Sequence, residues 1–240
     1  MIVLDDITKI FKIPHERKRT LYHRLVSIVK RRYDFEPLHA LRNISLSIAD
    51  GEFIGIIGRN GSGKSTLLKI ISRIYCPSSG KVHVKGDVFP MLELGIGFQP
   101  EFSCRENVFL QGVVLGFTRK EIVKRFDEII AYAELERFVD AKLGTLSSGM
   151  LMRLGFSIAA QSDASIFLVD EAFAVGDRAF GAKCEQKFRQ FKSEGKTVLL
   201  VSHDLHTVQH FCSRVIVLQD GQIVNEGDPQ AMIAWYSAKL

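Results

Sequence analysis

The chain has 240 residues, 46% hydrophobic and 25% charged, with a formal net charge of +5, which predicts one good-sized core or a core with a small subdomain. Its four cysteines are scattered without a C-x-x-C pair, which argues against a disulfide framework or a zinc site and predicts free thiols. No stretch approaches the roughly 20 apolar residues that span a bilayer, and the N-terminus lacks the basic start of an export signal. We therefore expect the protein in the cytosol or on the cytosolic side of a membrane.

The hydrophobic pattern of the first part of the chain predicts strands followed by helices. Two β segments, "MIVLDDITKIF" and "LRNISLSIADGEF", flank a basic stretch near the N-terminus. A short buried strand, "FIGIIG", then leads into an amphipathic helix, "GKSTLLKIISRIY". From about Arg105 to Gln161 the pattern predicts three successive helices, "RENVFLQGVVLGF", "RKEIVKRFDEIIAYAEL" and "SSGMLMRLGFSIAA".

Strands return in the last part of the chain. The runs "ASIFLVDEA" and "KTVLLVSHD" are continuously apolar, which is typical of parallel strands covered on both faces, and a helix, "FGAKCEQKFRQFKSEG", lies between them. A hairpin is predicted at Asp220-Gly221 and a short helix, "PQAMIAWYSAKL", at the end. We expect an α/β fold forming one domain over 1–240, with a basic inserted helix region at 12–40 and a helical subdomain at about 100–162.

The stretch "GRNGSGKST" has the chemistry of a phosphate-binding loop. Gly58, Gly63, Lys64 and Ser65 fit the pattern G-x-x-x-x-G-K-[ST], in which backbone N–H groups face phosphates, the lysine reaches the β/γ oxygens and the hydroxyl holds Mg²⁺. The pattern arises by chance in a chain of this length about one time in a hundred. Here it also follows a predicted strand and opens a predicted helix, as the motif requires.

Two carboxylates form the second candidate site. Asp170 and Glu171 end the apolar run "SIFLVDE", at the edge where open α/β sheets bind their ligands. Asp170 would support Mg²⁺, and Glu171 would orient or deprotonate an attacking water. The alternative is an acidic pair that merely caps the next helix.

A third element narrows the class of protein. "LSSGM" precedes a predicted helix, so Ser147, Ser148 and the Gly149 N–H stand at a helix N-terminus, which is either an anion site or a simple N-cap. Together with the phosphate loop, "FLVDE", "AVGD" and "VSHD", this ordered series resembles the ATP-binding cassette ATPases over nearly the whole chain. The resemblance implies a P-loop NTPase core with an N-terminal antiparallel β-subdomain and a helical subdomain.

The resemblance also implies roles for individual positions. Asp170 corresponds to the Walker B aspartate, Glu171 to the catalytic glutamate, and His203 to the switch histidine that senses the γ-phosphate. The Walker A loop comprises Gly58, Arg59, Asn60, Gly61, Ser62, Gly63, Lys64, Ser65 and Thr66. Ser147, Ser148 and Gly149 would contact ATP held by the other subunit, so the site exists only in a dimer. Asp177 in "AVGD" is a further candidate for the nucleotide site.

Two further assignments follow from the resemblance. Gln99 in "GFQPEFS" is the candidate for the glutamine that contacts Mg²⁺, with Ser65 and Asp170, and couples to a membrane partner. Phe11 lies where the adenine-stacking aromatic is expected, although Tyr33, Phe35 and His39 compete for that role. As an apolar residue at a strand end, Phe11 is alternatively a plain core residue.

Departures from the common signature LSGGQ point to one branch of the family. "SSGM", "LELGIGFQPEF", "RENV" and "VDEAFAVGD", with the basic insertion, resemble the ATPase subunits of exporters of O-antigen, capsule or teichoic acid. The side chain of Ser148, where the common signature has glycine, is either a ligand contact or a backbone spacer. Some members carry a C-terminal β-domain; because this chain ends after "AWYSAKL", we expect a shorter member or part of a longer protein.

The basic stretch from His15 to His39 carries seven basic residues against three acidic ones, so it holds +4 of the chain's +5. If residues 20–33 are helical, their apolar side chains share one face and Arg24, Lys30 and Arg31 the other. Such a helix lies at an anionic membrane surface or on a partner, here near the membrane subunit and the pyrophosphate of a lipid-linked glycan. The alternatives are a helix that only covers the β-subdomain and one that contacts nucleic acid.

These features lead to one functional hypothesis and one rival. The hypothesis is a homodimeric, Mg-ATP-hydrolysing subunit, bound at the cytoplasmic face of the membrane, that drives a separate membrane protein exporting a lipid-linked polysaccharide. The rival is a cassette ATPase that acts on nucleic acid or ribosomes, although we expect no nucleic-acid partner. His203, His206 and His210 in "SHDLHTVQH" have helical spacing, but no Cys or acid completes a metal site.

Overall fold

The computed structural model describes residues 1–14, 35–92, 95, 97–170 and 178–239 of the chain. Glu171, Asp177, Tyr33 and the predicted basic helix lie outside the described residues. The described strands form an antiparallel sheet in the order β2-β1-β4 and a larger sheet in the order β5-β6-β7-β3-β8-β9. The strands are β1 Ile2–Pro14, β2 Phe35–Ile48, β3 Phe53–Ile57, β4 Ser79–Val84, β5 Val88–Met91, β6 Ile166–Asp170, β7 Thr197–Val201, β8 Arg214–Gln219 and β9 Gln222–Gly227.

Helices lie on both faces of the larger sheet and in a subdomain beside it, which matches the expected α/β class. In the described part of the chain, none of the helices is both long and apolar enough to cross a membrane. All four cysteines are free thiols. The helices are α1 Lys64–Ile71, α2 Cys104–Val114, α3 Arg119–Ala133, α4 Ser148–Ala160, α5 Arg178–Ser193, α6 Leu205–Phe211 and α7 Pro229–Ser237.

The centre of the larger sheet is parallel and covered on both faces, as the continuous apolar runs predict. Side chains alternate along β3, so that Phe53 and Ile57 join one core cluster while Ile54 and Ile56 join the cluster on the opposite face. One face packs against α4 and α5, and the other against α1 and the antiparallel sheet. Because β3, β6 and β7 run parallel, their carboxyl ends lie at one edge of the sheet.

The first two strands extend further than the sequence pattern indicates. β1 and β2 remain paired out to Pro14↔Phe35, so residues 12–14 and 35–40, the two ends of the predicted 12–40 region, are strand. The physical reason is that the residues on both sides of the basic stretch pair with each other as an antiparallel ladder, which includes Phe11↔Leu38. Backbone pairing of this kind does not depend on the charge of the side chains. The remaining residues of that insertion, 15–34, are not described.

The three helices predicted between Arg105 and Gln161 are present as α2, α3 and α4, and they bury a third apolar cluster between them. Capping boxes start α2 at Ser103 with Glu106, and α3 at Thr118 with Glu121. We call Cys104–Ala160 the helical subdomain. The predicted hairpin is also confirmed, because β8 pairs with β9 around Asp220 and Gly221, which have φ values of 48° and 78°.

Candidate functional site

The phosphate loop connects β3 to α1, as its sequence predicts. Gly63 is the N-cap of α1 with φ 105°. A Cβ at this position would lie 2.6 Å from the carbonyl oxygen of Ala40, so the loop and the β2 backbone approach too closely for any side chain. This contact fixes the loop against the antiparallel sheet, with the N-terminus of α1 directed at the site.

Lys64, the first residue of α1, is folded back over the loop. Its side chain is largely buried, and Nζ donates to the carbonyl oxygens of Gly58 at 2.8 Å and Arg59 at 3.0 Å. The ammonium group is therefore held above the turn that the backbone N–H groups form. A phosphate entering the loop would meet both this positive charge and a helix N-terminus.

Ser65 and Asp170 join the loop to the central sheet. Ser65 Oγ donates a hydrogen bond to Asp170 Oδ2 over 2.8 Å, although the two residues are 105 positions apart. Asp170 ends β6, whose other residues are buried. A hydroxyl and a carboxylate are the oxygen donors that Mg²⁺ prefers, so this pair fits a magnesium ion whose remaining ligands are phosphate oxygens and water.

These groups open into one cleft of about 330 Å³. The antiparallel sheet forms one wall, the phosphate loop the floor, and the ends of β6 and β7 the other wall. The cleft is lined by Phe11, Leu38, His39, Ala40, Asn60, Gly61, Gly63, Lys64, Ser65, Thr66, Asp170 and His203. The structure therefore brings the phosphate loop, Asp170, His203 and Phe11 together in one cleft.

Phe11 belongs to the cleft wall rather than to the core. Its ring is half-buried and meets the ring of Tyr75 edge-on, with 5.5 Å between centroids. Lys9 Nζ lies 5.0 Å from the Phe11 centroid and 5.5 Å from that of Tyr75. Among its competitors, His39 also lines the cleft, whereas Phe35 is exposed and does not. The sheet thus presents an aromatic edge where a base can stack.

His203 follows β7 and lies exposed at the cleft. The next residue, Asp204, caps α6 by accepting from His206 N at 3.0 Å and from the Thr207 hydroxyl. The hydrogen bond from Thr207 is the main cause of the lowered pKa of Asp204. Ser202 Oγ in turn accepts from Asp204 N at 3.0 Å. These bonds fix the turn that presents the imidazole to the cleft.

The other two histidines of "SHDLHTVQH" are exposed on α6, and Arg189 Nη2 lies 2.7 Å from His210 Nε2. Within the residues that the structure describes, no group of three or more His, Cys, Asp and Glu side chains is arranged to hold a metal ion.

Several predicted site residues lie away from the cleft lining. Gln99 is exposed, and Ser147 and Ser148 are exposed at the start of α4, where Ser147 Oγ accepts from Met150 N at 3.3 Å. Gly149 is half-buried in the same turn. Glu171 and Asp177 are not described, so their roles stay predictions, as do those of Gln99 and the "LSSGM" residues.

Sequence reasoning missed part of the site. Leu38 and Ala40 line the cleft because β2 pairs with β1 beside the phosphate loop. Tyr75 supports Phe11 from the segment after α1. An aromatic residue such as Tyr75 is a general signal for ring contacts, but no local sequence pattern indicates that its partner is Phe11.

The comparisons with known proteins agree with this geometry. Residues 41–174 match the ABC transporter family. The chain is 43% identical to an O-antigen export system ATP-binding protein RfbB of Klebsiella pneumoniae, over 84% of this chain and 82% of that protein. It is 42% identical to the protein of the same name from Myxococcus xanthus over 98% of this chain, but it spans only 55% of that relative's length. It is 45% identical to the teichoic acids export ATP-binding protein TagH of Lactococcus lactis, over 82% of this chain and 42% of that protein.

Solved structures confirm the fold. The dimeric post-hydrolysis structure of the ATP-binding cassette MJ0796 with ADP and Pi superposes with a TM-score of 0.75 at 27% identity, covering 95% of this chain and 99% of that chain. The family match spans more than half of the chain, and the motif order and cleft are those of a nucleotide-binding cassette. The chain therefore belongs to the ABC transporter family, as one of its ATP-binding cassettes.

Proposed function

We propose that this chain hydrolyses Mg-ATP in the cleft described above. The observation that carries the proposal is the 2.8 Å hydrogen bond between Ser65 and Asp170, which joins the phosphate loop to the carboxylate strand beside Lys64. In phosphoryl transfer the protein contributes mainly positioning and charge stabilisation, and these residues supply both.

In the proposed reaction, each group of the cleft has its own role. Lys64 Nζ exchanges its bonds to the Gly58 and Arg59 carbonyls for bonds to β- and γ-phosphate oxygens, and the loop N–H groups hold the phosphates from the other side. Ser65 and Asp170 would hold Mg²⁺, which neutralises charge on the phosphates when bound. Glu171 orients the water and accepts its proton, while His203 donates to the γ-phosphate.

The proposed active form is a head-to-tail homodimer. Support comes from the exposed N-terminus of α4, where Ser147, Ser148 and Gly149 offer hydroxyl and N–H groups away from this chain's own cleft. In a dimer these groups, with Asp177, would close over the ATP of the partner. The solved cassette MJ0796 is itself described as dimeric.

We further propose that the dimer drives export of a lipid-linked polysaccharide through a separate membrane protein, and that it sits peripherally on the cytoplasmic face of the membrane. Support comes from relatives named for O-antigen and teichoic acid export. The basic stretch between β1 and β2 adds a cationic segment suited to anionic lipid or pyrophosphate. Beside it, Ile13 and Phe35 on the paired strand ends are exposed, which adds apolar surface.

ATP turnover and ATP binding test the catalytic part. Glu171→Gln should lower turnover by about 10²–10⁴-fold while ATP binding and the ATP-driven dimer persist, because only the general base is lost. Lys64→Ala should instead weaken binding itself. Lys120→Ala removes an exposed charge on α3 and is the matched control, which should bind and hydrolyse ATP normally. Normal turnover by Glu171→Gln would contradict the assigned base.

Reconstitution of the chain with its membrane subunit tests the export part. Changing Arg24, Lys30 and Arg31 together to Gln should abolish glycan transport and the stimulation of ATPase activity by the lipid-linked substrate. The ATPase activity of the purified chain without the membrane subunit should stay intact. Replacing three other exposed cations, Arg73, Lys81 and Lys85, by Gln is the charge-matched control.

Equal transport by the first triple variant and the parent would contradict the role of the basic stretch. Leu25→Asp, on the predicted apolar face, should disturb docking as well. A steep salt dependence of RNA or DNA binding by the parent would favour the rival nucleic-acid function.

A further inference from the structure

Asn107 makes an unusual set of bonds for a helix residue. It lies in the first turn of α2 and its side chain is fully buried. Its Oδ1 accepts from Gln99 N at 2.7 Å, and its Nδ2 lies 3.0 Å from Gln99 O, 3.3 Å from Phe102 O and 2.9 Å from Ser103 O. One side-chain amide therefore pairs with both backbone groups of Gln99, as a neighbouring strand would.

Only an amide of this length satisfies these partners. Aspartate would keep the acceptor for Gln99 N but would turn an oxygen toward three carbonyl oxygens. Leucine would leave Gln99 N without its acceptor, although the three carbonyl oxygens would keep their backbone hydrogen bonds. Buried polar groups that are fully bonded rigidify the segments they join. The bonds of Asn107 therefore fix the Gln99 backbone to the start of α2.

The same segment is bonded on its other side to the residues that precede "LSSGM". Gly144 N donates to Pro100 O and Leu143 N to Phe102 O, both at 2.8 Å. The short helical turn Leu143–Thr145 is followed almost directly by Ser147, the N-cap of α4. Gln99 and the "LSSGM" turn are thus attached to one hydrogen-bonded body through 100–103 and 141–146.

We propose that Asn107 is a positioning residue whose hydrogen bonds hold Gln99 against the bonded segments 100–103 and 141–146, which lead into Ser147, Ser148 and Gly149. We call this set of hydrogen bonds the lock. A change at Gln99, on binding Mg-ATP in its own cleft, then moves the turn that faces the ATP of the partner subunit. The lock itself is a property of the fold. Its catalytic consequence rests on the function proposed above.

Hydrogen exchange of the purified full chain tests the lock without any nucleotide. Asn107→Leu, which keeps about the same side-chain size but has no acceptor for Gln99 N, and Asn107→Ala should each speed exchange of the Gln99 amide by about tenfold or more, the factor that corresponds to losing one buried bond. Val108→Ala is the matched control, because Val108 is equally buried one position later and has no bond to Gln99. If Asn107→Ala fails to fold, Asn107→Leu decides; equal exchange of the Gln99 amide in Asn107→Leu and the parent would overturn the proposal.

A double-mutant cycle on ATP turnover tests the catalytic consequence. Asn107→Asp should lower turnover by about tenfold in the parent, but by less than about twofold when Gln99 is already Ala, because the lock then has no side chain to position. The effect of Val108→Ala should be the same in both backgrounds. Equal effects of Asn107→Asp on turnover in the two backgrounds would show that Asn107 acts on the fold and not through Gln99. If the parent has no ATPase activity, the proposed function fails while the exchange result still decides the lock.

Discussion

The hydrogen bond between Ser65 and Asp170 gives the sharpest prediction about the cleft. Asp170→Asn keeps the shape of the side chain but removes its negative charge, and it converts a charged acceptor 2.8 Å from Ser65 Oγ into a neutral one. Hydrogen bonds to charged groups contribute about 1.5–3 kcal/mol, and each 1.4 kcal/mol is a factor of ten. If the pair holds Mg²⁺ as proposed, Mg-ATP affinity should fall by about 10–150-fold.

The loss should depend on the metal. Titration of the purified chain with ATP, once with Mg²⁺ and once with EDTA, measures both affinities. In EDTA the variant should bind ATP at least as tightly as the parent, because a negative charge near the phosphates has been removed. Ser65→Ala should show the same dependence on Mg²⁺, and the double variant should lose less than the sum of the two.

Two results would refute this reasoning. An equal loss of affinity in Mg²⁺ and in EDTA would show that Asp170 acts on the loop rather than through a metal. Strictly additive losses in the double variant would show that Ser65 and Asp170 act independently, despite the hydrogen bond between them. Thermal unfolding of each variant separates either result from a general loss of fold.

Three further predictions follow from the described contacts. Phe11→Ala should weaken the binding of ATP and ADP equally, by about 5–150-fold in calorimetric titration, because base stacking contributes about 1–3 kcal/mol and both nucleotides share the base; a loss confined to ATP would contradict the stacking role. Hydrogen bonds from the Thr118 side chain and backbone lower the pKa of Glu121. These bonds therefore stabilise the fold above the usual pKa of a glutamate, and this contribution is lost as the pH falls through the lowered pKa. Urea unfolding at several pH values should show a smaller acid-induced loss of stability in Thr118→Ala than in the parent. Burial raises the pKa of Cys184 and Cys212 to about 12, so a thiol reagent at neutral pH should label only the exposed Cys76 in the native chain and all four cysteines after unfolding.

The parts of the site that sequence alone could predict are the local ones. The phosphate loop is a strand, a glycine-rich turn and a helix in direct succession, so its geometry follows from residues close together in the chain. The place of Asp170 also follows, because continuous apolar runs predict buried parallel strands and their carboxyl ends share one edge. His203 reaches the cleft for the same reason.

The parts that sequence could not predict depend on pairing between distant segments. β4 pairs with β1 across 71 to 82 residues, and its mostly exposed residues give little sign of a strand. Whether Phe11 lay in the core or in the cleft depended on Phe11↔Leu38 pairing beside the loop. Asn107 is an ordinary polar residue in the helical pattern, and its bonds to Gln99 appear only when the loop folds back onto α2.

The backbone around Ala40 fixes the antiparallel sheet relative to the phosphate loop. The Ala40 carbonyl oxygen lies 2.6 Å from where a Cβ of Gly63 would stand and 2.8 Å from that of Gly221, so the phosphate loop, β2 and the β8–β9 turn meet without side chains between them. Gly221 N donates to Ser62 O at 3.1 Å, and Arg42 N to Gly221 O at 2.8 Å. Because three backbones are bonded at one point, the wall that carries Phe11 is fixed relative to the phosphate loop. If the chain hydrolyses ATP as proposed, we therefore expect movement during the ATP cycle in the helical subdomain rather than between the phosphate loop and the antiparallel sheet.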